Sequence, residues 1–106
     1  MTLSERIAAA EVANYALEVE IADAIWQAKW GKRRPKDIRA DAFTASIDAA
    51  LTLVPEGALL SIDTYDGPGV YPEHVRASAW VRGAPRCFAA TPALALAAAA
   101  LKARGL

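Results

Sequence analysis

At 106 residues, 55% of them hydrophobic, the chain has apolar matter for one core and is read as a single domain, 1–106. Twelve basic and twelve acidic side chains give zero formal net charge, which argues against a partner recruited by bulk electrostatics. The single cysteine, Cys87, permits no internal disulfide, and no stretch approaches the roughly 18 apolar residues of a membrane span.

The charges are unevenly placed. Residues 1 to 28 carry Glu5, Glu11, Glu18, Glu20 and Asp23 against Arg6. Residues 29 to 39 carry Lys29, Lys32, Arg33, Arg34, Lys36 and Arg39 against Asp37, so half of the bases sit in that short segment. The N-terminus lacks the basic start and apolar run of a secretory signal, and the expected location is the cytoplasm.

In chain order, Ser4 is read as an N-cap, and no Gly or Pro interrupts the run to Trp30, which predicts a long N-terminal helix. Leu3, Ile7, Ala10, Leu17, Ile21, Ala24 and Ala28 recur at heptad-like spacings, with Asn14 as the polar member of the stripe. Taken straight, this helix would be roughly 39 Å long, against a radius of gyration of about 13 Å for a globule of this size. It therefore either breaks near Asn14 or projects and pairs with a copy of itself, so a monomer and a homodimer through the N-terminal helix both stand. A second stripe, Val12, Val19, Ala22, Trp26 and Trp30, suggests burial on two sides. Gly31 ends the helix, and Lys32-Arg33-Arg34-Pro35-Lys36 follows as a basic loop. Asp41 or Thr44 is expected to cap a short helix, Ser46 to Val54, with Ile47, Ala50, Leu51 and Val54 on one face.

A hairpin comes next: Ala58 to Tyr65, a Gly- and Pro-containing turn, and Glu73 to Arg82. Leu60 and Ile62 alternate with Ser61, Asp63 and Tyr65, while Val75, Ala77, Ala79 and Val81 alternate with Arg76, Ser78, Trp80 and Arg82. Pairing the two runs builds one apolar wall, which helices must cover. Arg86 to Ala90 is long enough for a third strand. Thr91-Pro92 then starts a last helix, apolar on every side until Lys102 and Arg104, with Gly105 closing it. The expected fold class is α+β: a small three-stranded antiparallel sheet covered by helices, in the order α-α-β-β-β-α.

Two segments carry a resemblance. Phe43-Thr-Ala-Ser-Ile-Asp-Ala-Ala-Leu-Thr-Leu-Val-Pro55, and Ala90-Thr-Pro-Ala-Leu-Ala-Leu96 with the following Ala-Leu101-Lys-Ala-Arg, resemble the signature segments of the phage-associated alpha-beta-alpha sandwich family. Leu17-Glu-Val-Glu-Ile-Ala22 is similar to that family's first helix. The chain departs from the pattern at Asn14-Tyr15, where the family carries a Gly-containing break, and Gly31 to Arg39 looks like an insertion. The resemblance implies a small phage or prophage protein with helix-sheet-helix layering. It carries over no catalytic residue, and no cofactor is expected.

For chemistry, His74 stands beside Glu73, with Asp63 and Asp66 on the facing strand or turn. That set lacks any diagnostic metal or acid-base spacing, and an enzyme is not expected. Cys87, beside Phe88 in the third strand, reads as a small core residue. The candidate partner-binding surface is the polar hairpin face, where Tyr65, Arg76, Trp80 and Arg82 gather with Asp63, because aromatics and arginines anchor interfaces. Against that, Trp80 and Tyr65 could simply pack under the N-terminal helix.

The expected function is that of a non-enzymatic phage accessory protein that binds a host protein or complex. Its sharpest form is a host-defence inhibitor of the anti-CRISPR kind. The alternative is a nucleic-acid-binding module using Trp30, Lys32, Arg33, Arg34, Lys36 and Arg39. Its strand-strand-strand-helix order is similar to that of double-stranded-RNA-binding domains, although here the basic cluster precedes the sheet. A further alternative is a small nucleotide bound at a dimer groove.

Overall fold

The structure is a computed structural model, and residues 2–64 and 75–106 are described. Helix α1 spans Leu3–Ala9, α2 Tyr15–Trp30, α3 Ile47–Leu51 and α4 Pro92–Ala103; the strands are β1 Leu60–Thr64, β2 Ala77–Val81 and β3 Cys87–Ala89. The α+β class and the three-stranded antiparallel sheet, in the order β1-β2-β3, are as expected.

The long N-terminal helix is in fact two. Thr2, not Ser4, caps α1: the Glu5 amide donates to Thr2 Oγ1 at 3.1 Å and the Thr2 amide donates to Glu5 Oε1 at 3.2 Å, a reciprocal capping box. Ser4 lies inside the helix, buried, and its hydroxyl donates to the Ala98 carbonyl at 2.7 Å. The chain leaves α1 through an extended Ala10, and Asn14 starts α2 by accepting the Leu17 amide at 3.2 Å. The break near Asn14 is therefore real, and the expected seam folds inward as far as Ile21, while Ala28 stays exposed. Ile7, Leu17 and Ile21 all join the common core. That use of the seam leaves the radius of gyration at 13.3 Å, the size of a compact globule.

The second stripe is only half realised. Val19, Ala22 and Trp26 are partly buried, but Val12 is 71% exposed in the link between the helices and Trp30 is 55% exposed at the end of α2. Gly31, at φ 69, ends α2 in the left-handed conformation that suits glycine. The next helix is capped by Ser46, whose hydroxyl accepts the Ala49 amide at 3.3 Å. Neither Asp41 nor Thr44 does so, and the Thr44 hydroxyl oxygen instead accepts the Asn14 amide while its proton goes to Glu18. The short α3 turns Ala50 inward, and Leu53 just beyond it, while Ile47 and Leu51 stay 41% and 40% exposed rather than sharing a buried face.

In the sheet, Ile62 pairs with Ala79, and Ala77 and Ala79 with Ala89 and Cys87. Ala77, Ala79, Val81 and Ala89 are wholly buried on the inner face. These small side chains form a shallow wall against which α4 lies. Thr91 caps α4 by accepting the Leu94 amide at 3.2 Å, Pro92 takes the first turn, and every residue from Ala93 to Leu101 is buried. A helix apolar on all sides must be covered on all sides. The sheet covers one side of α4, and α1 and α3 cover others. Leu94, Leu96 and Leu101 are fully inaccessible, and burying a leucine contributes about 1.5–3 kcal/mol.

The helix-sheet-helix layering takes a different form among the described residues. Helices α1 and α4 pack on the sheet, α3 packs on α4, and α2 makes no packing contact with any strand. The buried alanines define the side of the sheet that α4 takes. The other side is left without a described helix over it.

Candidate functional site

Two surfaces emerge from this arrangement. The first is the outer face of the sheet. Strand alternation sends Ser61 and Asp63, then Ser78 and Trp80, then Phe88 to that side, with Ser61 opposite Trp80, Asp63 opposite Ser78, and Ser78 opposite Phe88. Arg76 and Arg82 flank β2, tied by backbone bonds from the Arg76 amide to the Ala89 carbonyl at 3.0 Å and from the Arg82 amide to the Leu59 carbonyl at 2.9 Å. Both arginines are exposed, and Trp80 is partly buried. Of the expected partner-binding set, Arg76, Trp80 and Arg82 thus share one surface. Tyr65 lies outside the described residues.

Neither α1 nor α2 packs against β2 among the described residues, so no described contact places Trp80 under the N-terminal helix. Arg86 was missed by sequence reasoning and sits at its centre. Its guanidinium donates to Asp63 Oδ2 at 2.8 Å, to Ser78 Oγ at 2.9 Å and to Ser61 Oγ at 3.1 Å, bridging β1 and β2. The signal was present: in the run from Arg86 to Ala90, period two puts Arg86 and Phe88 opposite in facing to Cys87 and Ala89.

This bridge also bears on the acid-base idea. Asp63 is held by Arg86, while His74, Glu73 and Asp66 lie outside the described residues. No group of three metal-ligating side chains occurs among the described residues. Cys87 is buried, and desolvation pushes its thiol up from the ordinary range, the opposite of what activates a nucleophile.

The second surface is the C-terminal part of α2 with the basic loop after it. Arg34 is not a free cation. Its Nε donates to Asp23 Oδ1 at 2.8 Å and its Nη1 to the Ile38 carbonyl, so it clips the loop to the helix. Lys32, Arg33, Lys36 and Arg39 are exposed around that clip. Trp30 stands beside them, its ring centroid 6.0 Å from that of Trp26 at 46°, with Lys29 Nζ 5.3 Å from the Trp30 centroid. The clip leaves a concavity on either side. One, of about 220 Å³, is lined by Ile25, Trp26, Trp30, Ile38, Asp41 and Phe43 among others. The other, of about 560 Å³, is lined by Gln27, Arg33, Pro35 and Lys36 among others. Arg34 borders both.

Compared with family models, curated proteins and solved structures, the chain matches none.

Proposed function

We propose that this protein works by contact and not by chemistry, holding a host protein or protein complex against the outer face of its sheet. The observation that supports this reading is the one-sided packing of the described helices on the sheet. Every described helix that touches the sheet is on the alanine side, and the opposite side displays Arg76, Trp80 and Arg82 around the Arg86 bridge. Arginine and tryptophan are the side chains that concentrate binding energy at interfaces. The bridge also fixes the geometry of the surface before any partner arrives. The likeness of 43–55 and 90–104 to a phage-associated family supports a phage or prophage origin and action in the host cytoplasm. Inhibition of a host defence system, as anti-CRISPR proteins do, is the most specific form of the proposal.

The test is affinity capture from a bacterial host lysate with the wild-type chain and with the double variant R76E/R82E. A protein retained by the wild type and lost by the variant is the expected result. Equal capture by both, or capture by neither, ends the reading.

A second reading is favoured by one observation: Trp30 is more than half exposed within a ring of exposed bases. Solvent-facing tryptophan beside lysine and arginine suits stacking on a nucleobase next to phosphate contacts. That reading makes the 29–39 segment a nucleic-acid-binding surface. Its test is filter binding across a salt series, in which phosphate contacts weaken steeply as salt rises. A small nucleotide as sole ligand would instead show as thermal stabilisation without that dependence on an oligonucleotide.

A further inference from the structure

We infer that the two concavities flanking Arg34 form one binding cleft for single-stranded nucleic acid, with a base in the aromatic concavity and neighbouring phosphates in the basic one. The inference rests on the second reading above and adds to it the division of labour, the strand state and a base preference. Each part follows from what lines the cleft.

The smaller concavity is lined by the rings and aliphatic side chains of Trp26, Trp30, Phe43, Ile25 and Ile38, together with Lys29, Arg34, Arg39 and Asp41. Its volume of about 220 Å³ suits one planar ring system and not a duplex. A base held there must be unstacked from its neighbours, which is the state of a single strand and not of a double helix. Trp30 presents the accessible aromatic surface, and the adjacent Lys29 ammonium gives that surface a charge attractive to a passing phosphate. The larger concavity, across Arg34, is bordered by Arg33 and Lys36. Arg34 itself is neutralised by Asp23, so its part is to hold the two hollows at a fixed separation. Charge complementarity names the occupant's backbone. Six bases against Asp37 between residues 29 and 39, on a chain of zero net charge, make this the place where a polyanion gains most.

Asp41 supplies the specificity. It is the acidic residue lining an otherwise apolar and cationic hollow, and a carboxylate there would repel phosphate. It accepts a hydrogen bond from an exocyclic amino group, as acidic side chains do from the N4 amino group of cytosine. The cleft therefore prefers bases with an amino group, cytosine, adenine or guanine, to thymine or uracil.

The experiment is fluorescence anisotropy with end-labelled oligo-dC and oligo-dT of about twelve nucleotides, a length within the usual single-strand site sizes. Salt is varied from about 50 to 200 mM. The chains are wild type, W30A, W30F, D41N and K32E/R33E/K36E, each checked for the wild-type circular dichroism spectrum. Trp30 and the three bases are exposed, so these variants are expected to fold. Wild type should bind oligo-dC several-fold tighter than oligo-dT. W30A should lose roughly tenfold with the salt slope unchanged, and W30F should recover most of that loss. D41N should remove the preference for oligo-dC. The triple variant should weaken binding to both and flatten the salt slope. Binding by wild type that W30A leaves intact overturns the base pocket while the nucleic-acid reading survives. Absence of salt-dependent binding by the wild type overturns both. Tighter binding of a duplex, or equal competition by polyglutamate or by a mononucleotide, also overturns the inference.

Discussion

The hydroxyl of Thr44 donates to Glu18 Oε2 at 2.7 Å, and the Thr44 amide donates to the same oxygen at 3.1 Å. Both residues are buried, and the same hydroxyl oxygen accepts the Asn14 amide at 2.9 Å. One threonine thus ties the start of α2 to the segment leading into α3, across a sequence separation no local motif spans. Thr44→Val keeps the shape and removes the hydroxyl, leaving the Asn14 amide without its acceptor and the Glu18 carboxylate with one donor fewer. The expected loss is about 1–3 kcal/mol, the cost of buried polar groups losing partners. Thr44→Ser should recover most of it. Urea unfolding midpoints measure both, and a Thr44→Val midpoint equal to wild type would remove this network from the account of stability.

The alanine contact between α4 and the sheet makes a second expectation. Ala79 on β2 and Ala95, Ala97 and Ala98 on α4 have no accessible surface. Space there is set by methyl groups, so Ala79→Leu should over-pack the contact and cost about 1–3 kcal/mol or more. Leu96→Ala, the opposite change on the same helix, should cost about 2–5 kcal/mol through the cavity it leaves. Ala103→Leu, at the partly exposed end of α4, should cost under about 0.5 kcal/mol. A cost for Ala79→Leu as small as that expected for Ala103→Leu would show that packing between α4 and the sheet is loose.

These contacts mark where the sequence could and could not be read. Helix α4 was legible because its signals are local: Thr91-Pro92 at the start, an unbroken apolar run, and cations at the end. The sheet was legible from alternation, which also contained Arg86 and Phe88 although they were not drawn out as site residues. The cap of α1 was equally local, since Thr2-Leu-Ser-Glu5 is a capping box, yet Ser4 is the residue a simple scan selects. Ser46 replaced Thr44 as the cap of α3 for a reason no scan contains, because the partners of the Thr44 hydroxyl, the Asn14 amide and Glu18, lie at the start of another helix. The placement of the described helices on one side of the sheet was also hidden. A strand with Ser78 and Trp80 on its second face reads the same whether a helix lies over it or a partner does. Arg34's role as a clip depends on Asp23 one helix away, so a run of bases looked uniform until the fold separated the paired one from the exposed ones.

Acid should weaken the fold through α1. Hydrogen bonds from the Thr2 backbone and hydroxyl hold the Glu5 carboxyl below its usual range, and the Arg6 guanidinium, bonded to Glu20 at 2.8 Å, does the same for Glu20. A carboxyl whose folded pKa is depressed binds protons more readily in the unfolded chain. Its stabilisation is therefore complete above the ordinary carboxylate value of about 4.3 and is lost as pH falls through the folded value. Thermal midpoints between roughly pH 7 and pH 3 should fall more steeply below pH 5 for the wild type than for Glu20→Gln or Glu5→Gln. Both carboxyls are solvent-exposed, so the difference should shrink as salt is raised. Parallel acid limbs in all three chains would show that these bonds do not couple to folding.

Alkali should act through Cys87. The thiol is buried between β3 and the helices, and the loss of water around it pushes its pKa up. In the unfolded chain it ionises near the ordinary value of about 8.5. The folded state then holds its proton while the unfolded state releases it, so stability is intact below about pH 8.5 and declines as pH rises from there towards the folded value. Cys87→Ala removes this dependence and should flatten the wild-type decline between about pH 8.5 and 10, at a cost near neutral pH of about 1 kcal/mol for the smaller side chain. The same burial predicts that a thiol reagent modifies native Cys87 slowly, at a rate following the urea concentration that opens the fold. Modification of the native chain as fast as of the unfolded one would place the sulfur at the surface, and would reopen the question of whether the third strand carries chemistry.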